Sequence, residues 1–265
     1  MSLPVPDRPE TLGALRDCTT RFTALLRSVS DPSRNAIGHW SIAETAAHTS
    51  HVYELFPELL RGGESPVRDH LSLSDAWEVK LAGDPVRDPA AIAERIETAL
   101  AEFASEATEA QWAQPKLWHG GVKMPTYALA GILLGEAMLH GRDIATAEGK
   151  PWDIAAKHAV FLIDGLLPAL PHYVKPEAAA GLKATYDLRV RGGPRLYLTI
   201  RDGILTIDEE SPGPIDCHIS ADPLAYVLVG YGRIGQIGPI LIGKLVAWGK
   251  RPWLALRFAR LFESV

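Results

Sequence analysis

The fold class predicted by this sequence is a helical bundle followed by a smaller α+β domain. Two observations carry it. Apolar residues recur at helical spacing through roughly the first 170 positions, and after Lys175-Pro176 the period shortens to two. Helices first, then strands with trailing helices, are the order expected of an all-α domain joined to an α+β domain. A length of 265 residues is ample for both, and the boundary is expected at residues 1–175 and 176–265.

Each element has its own justification. Thr11–Val29 repeats Leu12, Leu15, Phe22, Leu25 and Leu26 on one side and meets the breakers Asp31-Pro32. A second helix opens at Ser41-Ile-Ala-Glu44, where the Ser hydroxyl can bond the amide three residues on and Glu44 can reach back. It runs to about Leu60 and stops at Gly62-Gly63. The stretch 63–88, with its Pro and Asp residues, reads as a connection. Pro89–Ala107 is rich in Ala and Glu and reads as helix. A loop with Pro115, Gly120 and Gly121 leads to the long apolar helix Pro125–Glu148, and another helix spans about 153–167. Ala184–Val190, Arg195–Arg201 and Ile204–Asp208 alternate like half-buried strands, with Asp202-Gly203 marking a tight hairpin. Cys217–Ser220 is a fourth strand, and helices are expected at 222–230 and 239–263, the latter broken around Gly249 and Pro252.

The bulk numbers exclude several classes. Hydrophobic residues at 47% and charged residues at 22% are those of a globular protein. No segment reaches about 18 uncharged apolar residues, so integral membrane contact is not expected. Met1–Glu10 has no basic stretch leading into an apolar core, and two cysteines are too few for a disulfide framework; a cytoplasmic protein is the expectation. Residues 1–180 carry 16 Lys/Arg against 24 Asp/Glu, which argues against nucleic acid as a partner, whereas residues 181–265 carry 11 against 8.

The chemistry-bearing residues are His48, Glu136 and His140. At about 100° per residue His48 shares a face with Val52, Leu55 and Leu59, while His51 lies at the edge of that stripe. Leu129, Ile132, Leu133, Glu136 and His140 fall on one side of their helix, and the spacing of four puts Glu136 and His140 one turn apart. A buried carboxylate and two buried imidazoles are expensive unless paired or bound to a metal, and two His with one Glu is a catalytic zinc set that leaves a position open. Asp143, three residues past His140, is placed to orient its ring. The plainer reading is an ordinary helical Glu–His pair and a hydrogen-bonded core histidine. His119 in Trp-His-Gly-Gly reads as a surface-loop histidine, with pocket lining as the alternative. Gly192-Gly193 and Gly230-x-Gly232 lack the context of a dinucleotide site, and no nucleophile elbow, His-Glu-x-x-His or P-loop is present.

The run His39-Trp-Ser-Ile-Ala-Glu-Thr-Ala-Ala-His48, with Gly135-Glu-Ala-Met-Leu-His-Gly-Arg-Asp143, resembles the mycothiol-dependent maleylpyruvate isomerase family. The C-terminal strands and the segment Gly243-Lys-Leu-Val-Ala-Trp-Gly-Lys-Arg-Pro-Trp-Leu-Ala-Leu-Arg-Phe258 resemble a sterol-carrier-type domain. The likeness runs from about residue 10 to 262. It implies a DinB-like four-helix metal-binding domain at the N-terminus, His48, Glu136 and His140 as metal ligands, zinc as the usual metal and mycothiol as a thiol cofactor. Sterol-carrier-type sequences often have Gly-Asp where this chain has Gly249-Lys250. The family's C-terminal arginine near the active site has four candidates here, Arg189, Arg191, Arg251 and Arg257.

The function these readings lead to is a metal- and mycothiol-dependent isomerase or S-transferase acting on a small electrophile. Two rivals stand beside it. One is a metal hydrolase that needs no thiol. The other is a carrier or regulator whose C-terminal domain binds an apolar ligand, suggested by the mixture of apolar and basic residues in 235–263; for that segment, an amphipathic helix packed on its own sheet is the simpler reading.

Overall fold

Capping chemistry sets where the helices begin. In the computed structural model, which describes residue 3, residues 5–67 and residues 73–262, the first helix, α1 (Arg8–Arg27), starts where the Asp7 side chain accepts from the Glu10 amide. The Ser41–Glu44 box closes in both directions at the start of α2 (Ile42–Leu60). Asp88 caps α4 (Pro89–Glu106), whose first residue is a proline that has no amide to leave unsatisfied. The fourth long helix, α5 (Thr126–Ala147), is buried along most of its length.

These four helices form a bundle in which α1 and α2 each pack against both α4 and α5. Phe22, Tyr53, Phe56, Ile92, Ile96 and Phe103 fill its centre with little or no solvent exposure. The Tyr53 hydroxyl donates to the Leu133 carbonyl at 3.0 Å and lies 2.7 Å from the Thr19 hydroxyl, so one polar atom ties α1, α2 and α5. Trp152 folds back over α5, donating its indole N–H to the Met138 carbonyl at 3.0 Å, with Arg21 above its ring. A side chain at Gly141 would collide with that ring.

Three short elements lie where the sequence suggested only loops. A small hairpin, β1 (Asn35–Ile37) and β2 (Trp40–Ser41), precedes α2. The 63–88 connection contains a helix, α3 (Leu73–Gly83), although its residues 68–72 lie outside the described residues. The loop before α5 contains the hairpin β3 (Pro115–Leu117) and β4 (Lys123–Pro125).

The second compact unit begins at Ala155. The reason is packing: α6 (Ala156–Leu166) rests on α8 (Pro223–Gly230), so the helix at the sequence-expected end of the bundle belongs with the sheet. A one-turn helix, α7 (Pro176–Ala179), leads into the strands. Strands β5 (Ala184–Val190), β6 (Arg195–Arg201) and β7 (Ile204–Asp208) run antiparallel in series, and β8 (Cys217–Ala221) pairs parallel to β5. Asp202 and Gly203 both take positive φ, 52° and 81°, which is the backbone that a two-residue hairpin requires.

The C-terminal helix expected over 239–263 is replaced by three pieces: α9 (Ile237–Leu241), β9 (Leu245–Trp248) and α10 (Leu254–Phe258); residue 263 lies outside the described residues. Leu-Val-Ala-Trp is flanked by Gly243 and Gly249, both at positive φ, and it pairs antiparallel with β8. The sheet order is therefore β7-β6-β5-β8-β9. Tyr186, Leu188 and Val190 point into the apolar core, with Phe258 of α10 against the Tyr186 ring. Among the described residues no helix is long and apolar enough to cross a membrane.

The Gly141–Trp152 contact generates a prediction. Gly141→Ala is expected to destabilise the protein by about 1–3 kcal/mol, because the ring must shift within a packed interior. Chemical denaturation of both proteins measures it.

Candidate metal centre

The site is built by the α2–α5 contact. Each helix turns an apolar stripe toward its neighbour, and His48 on α2 and Glu136 and His140 on α5 interrupt those stripes at one level of the bundle. His48 Nε2 lies 3.5 Å and His140 Nε2 3.4 Å from the same Glu136 oxygen, Oε2. One donor atom from each residue fits within a sphere of mutual distances no longer than 4.8 Å. Their side chains retain only 10%, 22% and 12% of their exposure, in that order.

The fit to a metal can be tested on these distances. Hydrogen bonds between nitrogen and oxygen cluster near 2.9 Å. Two ligands about 2.1 Å from a tetrahedral ion stand roughly 3.4 Å apart. The observed spacings match the second geometry. Glu136 Oε2 is buried and makes no hydrogen bond, and the same holds for His48 Nδ1. A carboxylate oxygen aimed between two imidazole nitrogens, with no donor of its own, suits a cation better than it suits a hydrogen-bonded core.

The surroundings treat the two histidines differently. His140 Nδ1 faces Asp143 Oδ2 at 3.3 Å, the carboxylate partner anticipated from the spacing. Burial opposes protonation of His140, but Asp143 and Glu136 more than offset it and raise its pKa to about 9. Among the described residues His48 Nδ1 has no hydrogen-bond partner, and burial lowers the pKa of this ring. Its ring is held by aromatic contacts instead: Trp40 at 4.8 Å and Trp77 of α3 edge-on at 5.2 Å. The Trp40 indole N–H donates to Glu78 at 2.8 Å, which fixes that wall in turn. Burial disfavours the Glu136 charge, yet the two histidines hold its carboxyl well below the usual carboxylate range.

Two other histidines differ from expectation. His119 is not a surface residue: it is 2% exposed, stacked on Trp118 at 4.3 Å, within 6.0 Å of the Trp77 ring, with Nδ1 2.6 Å from the Ser65 hydroxyl. His51, at the edge of the helical stripe, is as buried as the core, because α2 is covered by α4 as well as α5. Its Nε2 meets Asp84 at 2.7 Å, and Asp84 also accepts from Arg95, which is bidentate on Glu54. Trp77 and Glu78 escaped sequence reading because they lie in the stretch taken for a connection; Trp77 and Leu81, four apart, were the available signal.

The four candidate arginines all lie in the second unit. Arg189 shares the wholly buried Asp187 carboxylate with Arg195 and His218. Arg191 donates to the Lys244 carbonyl, and Arg251 pairs with Asp216 and reaches the Lys183 carbonyl. Arg257 is exposed on α10.

Residues 14–144 match the family described as the DinB superfamily. The search of curated proteins gave no match. Among solved structures, the chain is similar to the mycothiol-dependent maleylpyruvate isomerase at 14% identity and a TM-score of 0.47, covering 92% of this chain and 93% of that one. A point mutant of that isomerase gives 15% and 0.49 over the same shares. The UbiJ-SCP2 ubiquinone synthesis protein is similar over 32% of this chain and 71% of its own, at 19% identity and a TM-score of 0.29.

The electrostatics generate three predictions. Because Asp143 and Glu136 favour the charged form of His140 over the neutral one, loading a divalent ion at pH 7.5 is expected to release a proton. Calorimetry in buffers of different ionisation enthalpy measures the release, and Asp143→Asn is expected to weaken the metal roughly 10–100-fold. For Asp84, burial opposes the charge but His51, Arg95 and the Val86 amide depress its pKa. Its stabilisation is therefore present above its unfolded value of about 4 and is lost as pH falls below that. Asp84→Asn is expected to cost about 2 kcal/mol at pH 7, with the gap closing in acid denaturation curves.

Proposed function

We propose that this chain is a metal-dependent enzyme that uses a low-molecular-weight thiol, mycothiol, against a small electrophilic substrate, by isomerisation or by S-transfer. The observation that carries the metal is the spacing of the His48, Glu136 and His140 donor atoms, together with the unpartnered Glu136 oxygen between them. Zinc is the metal we assign, since two His and one Glu form one of its catalytic ligand sets. The thiol is supported by the resemblance of the Trp40–His48 and Glu136–Asp143 motifs, and the DinB superfamily match covers both.

A bound divalent ion would favour thiolate over thiol at neutral pH and so supply a nucleophile. The work of the protein's own groups can be assigned from their contacts. Glu136 and the two imidazoles hold the ion and leave a position open. With the ion bound, Asp143 would hold the His140 proton on Nδ1 and leave the Nε2 lone pair to the metal. Trp40, held by Glu78, and Trp77 fix the His48 ring by packing, and with Trp118 and His119 they keep water from that side.

Metal analysis and thiol binding test the reading together. The purified protein is expected to hold one divalent ion per chain and to bind mycothiol only when loaded. His48→Ala is expected to lose the ion and to lower thiol transfer by more than the ~10–100-fold typical of an outer partner. Turnover without any thiol would assign the site to a hydrolase, and absence of stoichiometric metal would remove the centre altogether.

A further inference from the structure

Among the described residues of the second unit, exposed apolar side chains gather mainly in one stretch. Eight of the twelve exposed large hydrophobic side chains among the described residues fall between 237 and 256. Ile237 and Leu241 are one turn apart on α9 and are 70% and 79% exposed, with Ile242 beside them at 70%. Trp253, at the start of α10, is 58% exposed. Scattered surface leucines need no explanation, but a contiguous run of this size on a globular unit does.

A cavity of about 430 Å³ opens onto the same surface. Ile240, Val246, Trp253 and Leu256 both line it and reach solvent, so its mouth lies among α9, β9 and α10. Deeper in, the walls are apolar groups from α6, α8 and β8, including Ile163, Val227 and Ile219.

The charge around the mouth has a single sign. Residues 223–262 contain six Lys or Arg and no Asp or Glu. Arg251 is paired with Asp216. Lys244, Lys250, Arg257 and Arg260 are exposed, and no salt bridge to an acid engages them among the described residues. A second copy docked through this face about a two-fold axis would set these cations against themselves. An apolar protrusion with an exposed Trp and a basic rim suits an interface that is apolar inside and anionic at its edge.

We propose that this face is a peripheral docking surface for an anionic lipid bilayer. Ile237, Leu241, Ile242 and Trp253 enter the boundary between head groups and acyl chains, the four unpaired cations lie at the head-group level, and the cavity mouth faces the apolar phase. The surface is independent of the metal centre, so it stands or falls separately from the activity.

The test uses the full chain and vesicles of phosphatidylcholine, with and without phosphatidylglycerol, in a flotation assay. Binding is expected only to vesicles with the anionic lipid and is expected to weaken as salt rises. Each of Lys250→Gln and Arg257→Gln is expected to weaken it roughly fivefold. Leu241→Glu is expected to abolish binding while the unfolding transition is unchanged, since that side chain packs against little; Ile237→Ser is a second, milder variant with the same direction. No binding to anionic vesicles, or equal binding by Leu241→Glu, overturns the proposal. A dimer in sizing experiments that Leu241→Glu splits assigns the face to a second copy and overturns it as well.

Discussion

The bundle is organised around a carboxylate that should not be where it is. Glu136 lies on the inner side of the longest helix, opposite the imidazole of His48 and one turn before that of His140. Taking such a charge out of water is costly unless opposite charge is supplied at short range. Much else in the first unit arranges that supply. The α2–α5 contact sets the distance, Asp143 sets the charge on His140, and the Trp40–Glu78–Trp77 wall holds the remaining ring. Even Gly141, next to His140, is dictated by the indole that seals this helix from the far side.

The two histidine ligands reach fixed orientations by different physical means. His140 is oriented by a hydrogen bond, which specifies a tautomer as well as a direction. His48 is oriented by shape, through rings packed against it. Packing fixes direction alone, since His48 Nδ1 has no hydrogen-bond partner to specify a tautomer. The second unit solves its buried-charge problem in a third way: Asp187 has no exposure at all, and Arg189, Arg195 and His218 saturate its oxygens, holding its carboxyl well below the usual range against the effect of burial.

How much of this was legible in the sequence follows from which interactions are local. Asp7, Ser41 with Glu44, Asp88 before Pro89 and Asp202-Gly203 act within a few residues, and the elements they begin or turn are found where the sequence suggests. The faces of His48, Glu136 and His140 are also local, since helical periodicity decides them; the distance between the helices is not. What escaped depends on distant partners. β9 is a strand because β8 offers it an edge, and the same apolar residues read as helix without that edge. His119 is buried because Trp118 and Trp77 enclose it, and Trp77 arrives from a short helix whose spaced apolar residues, Leu73, Trp77 and Leu81, lie within a stretch that reads as a connection. His51 is buried because α2 is covered on two sides, which widens its apolar face beyond the stripe facing α5.

The ligand positions have a topological consequence. His48 and Glu136 are 88 residues apart, and most of α2, all of α3 and α4 and the first half of α5 lie between them. An ion bound by both acts as a cross-link that closes that stretch into a ring. In chain-entropy terms, a link across a loop of this length is worth about 4–5 kcal/mol to the folded state. On the proposed function, the donors that hold the ion would also staple the scaffold, so that removing the ion would lower the fold's stability as well as the activity.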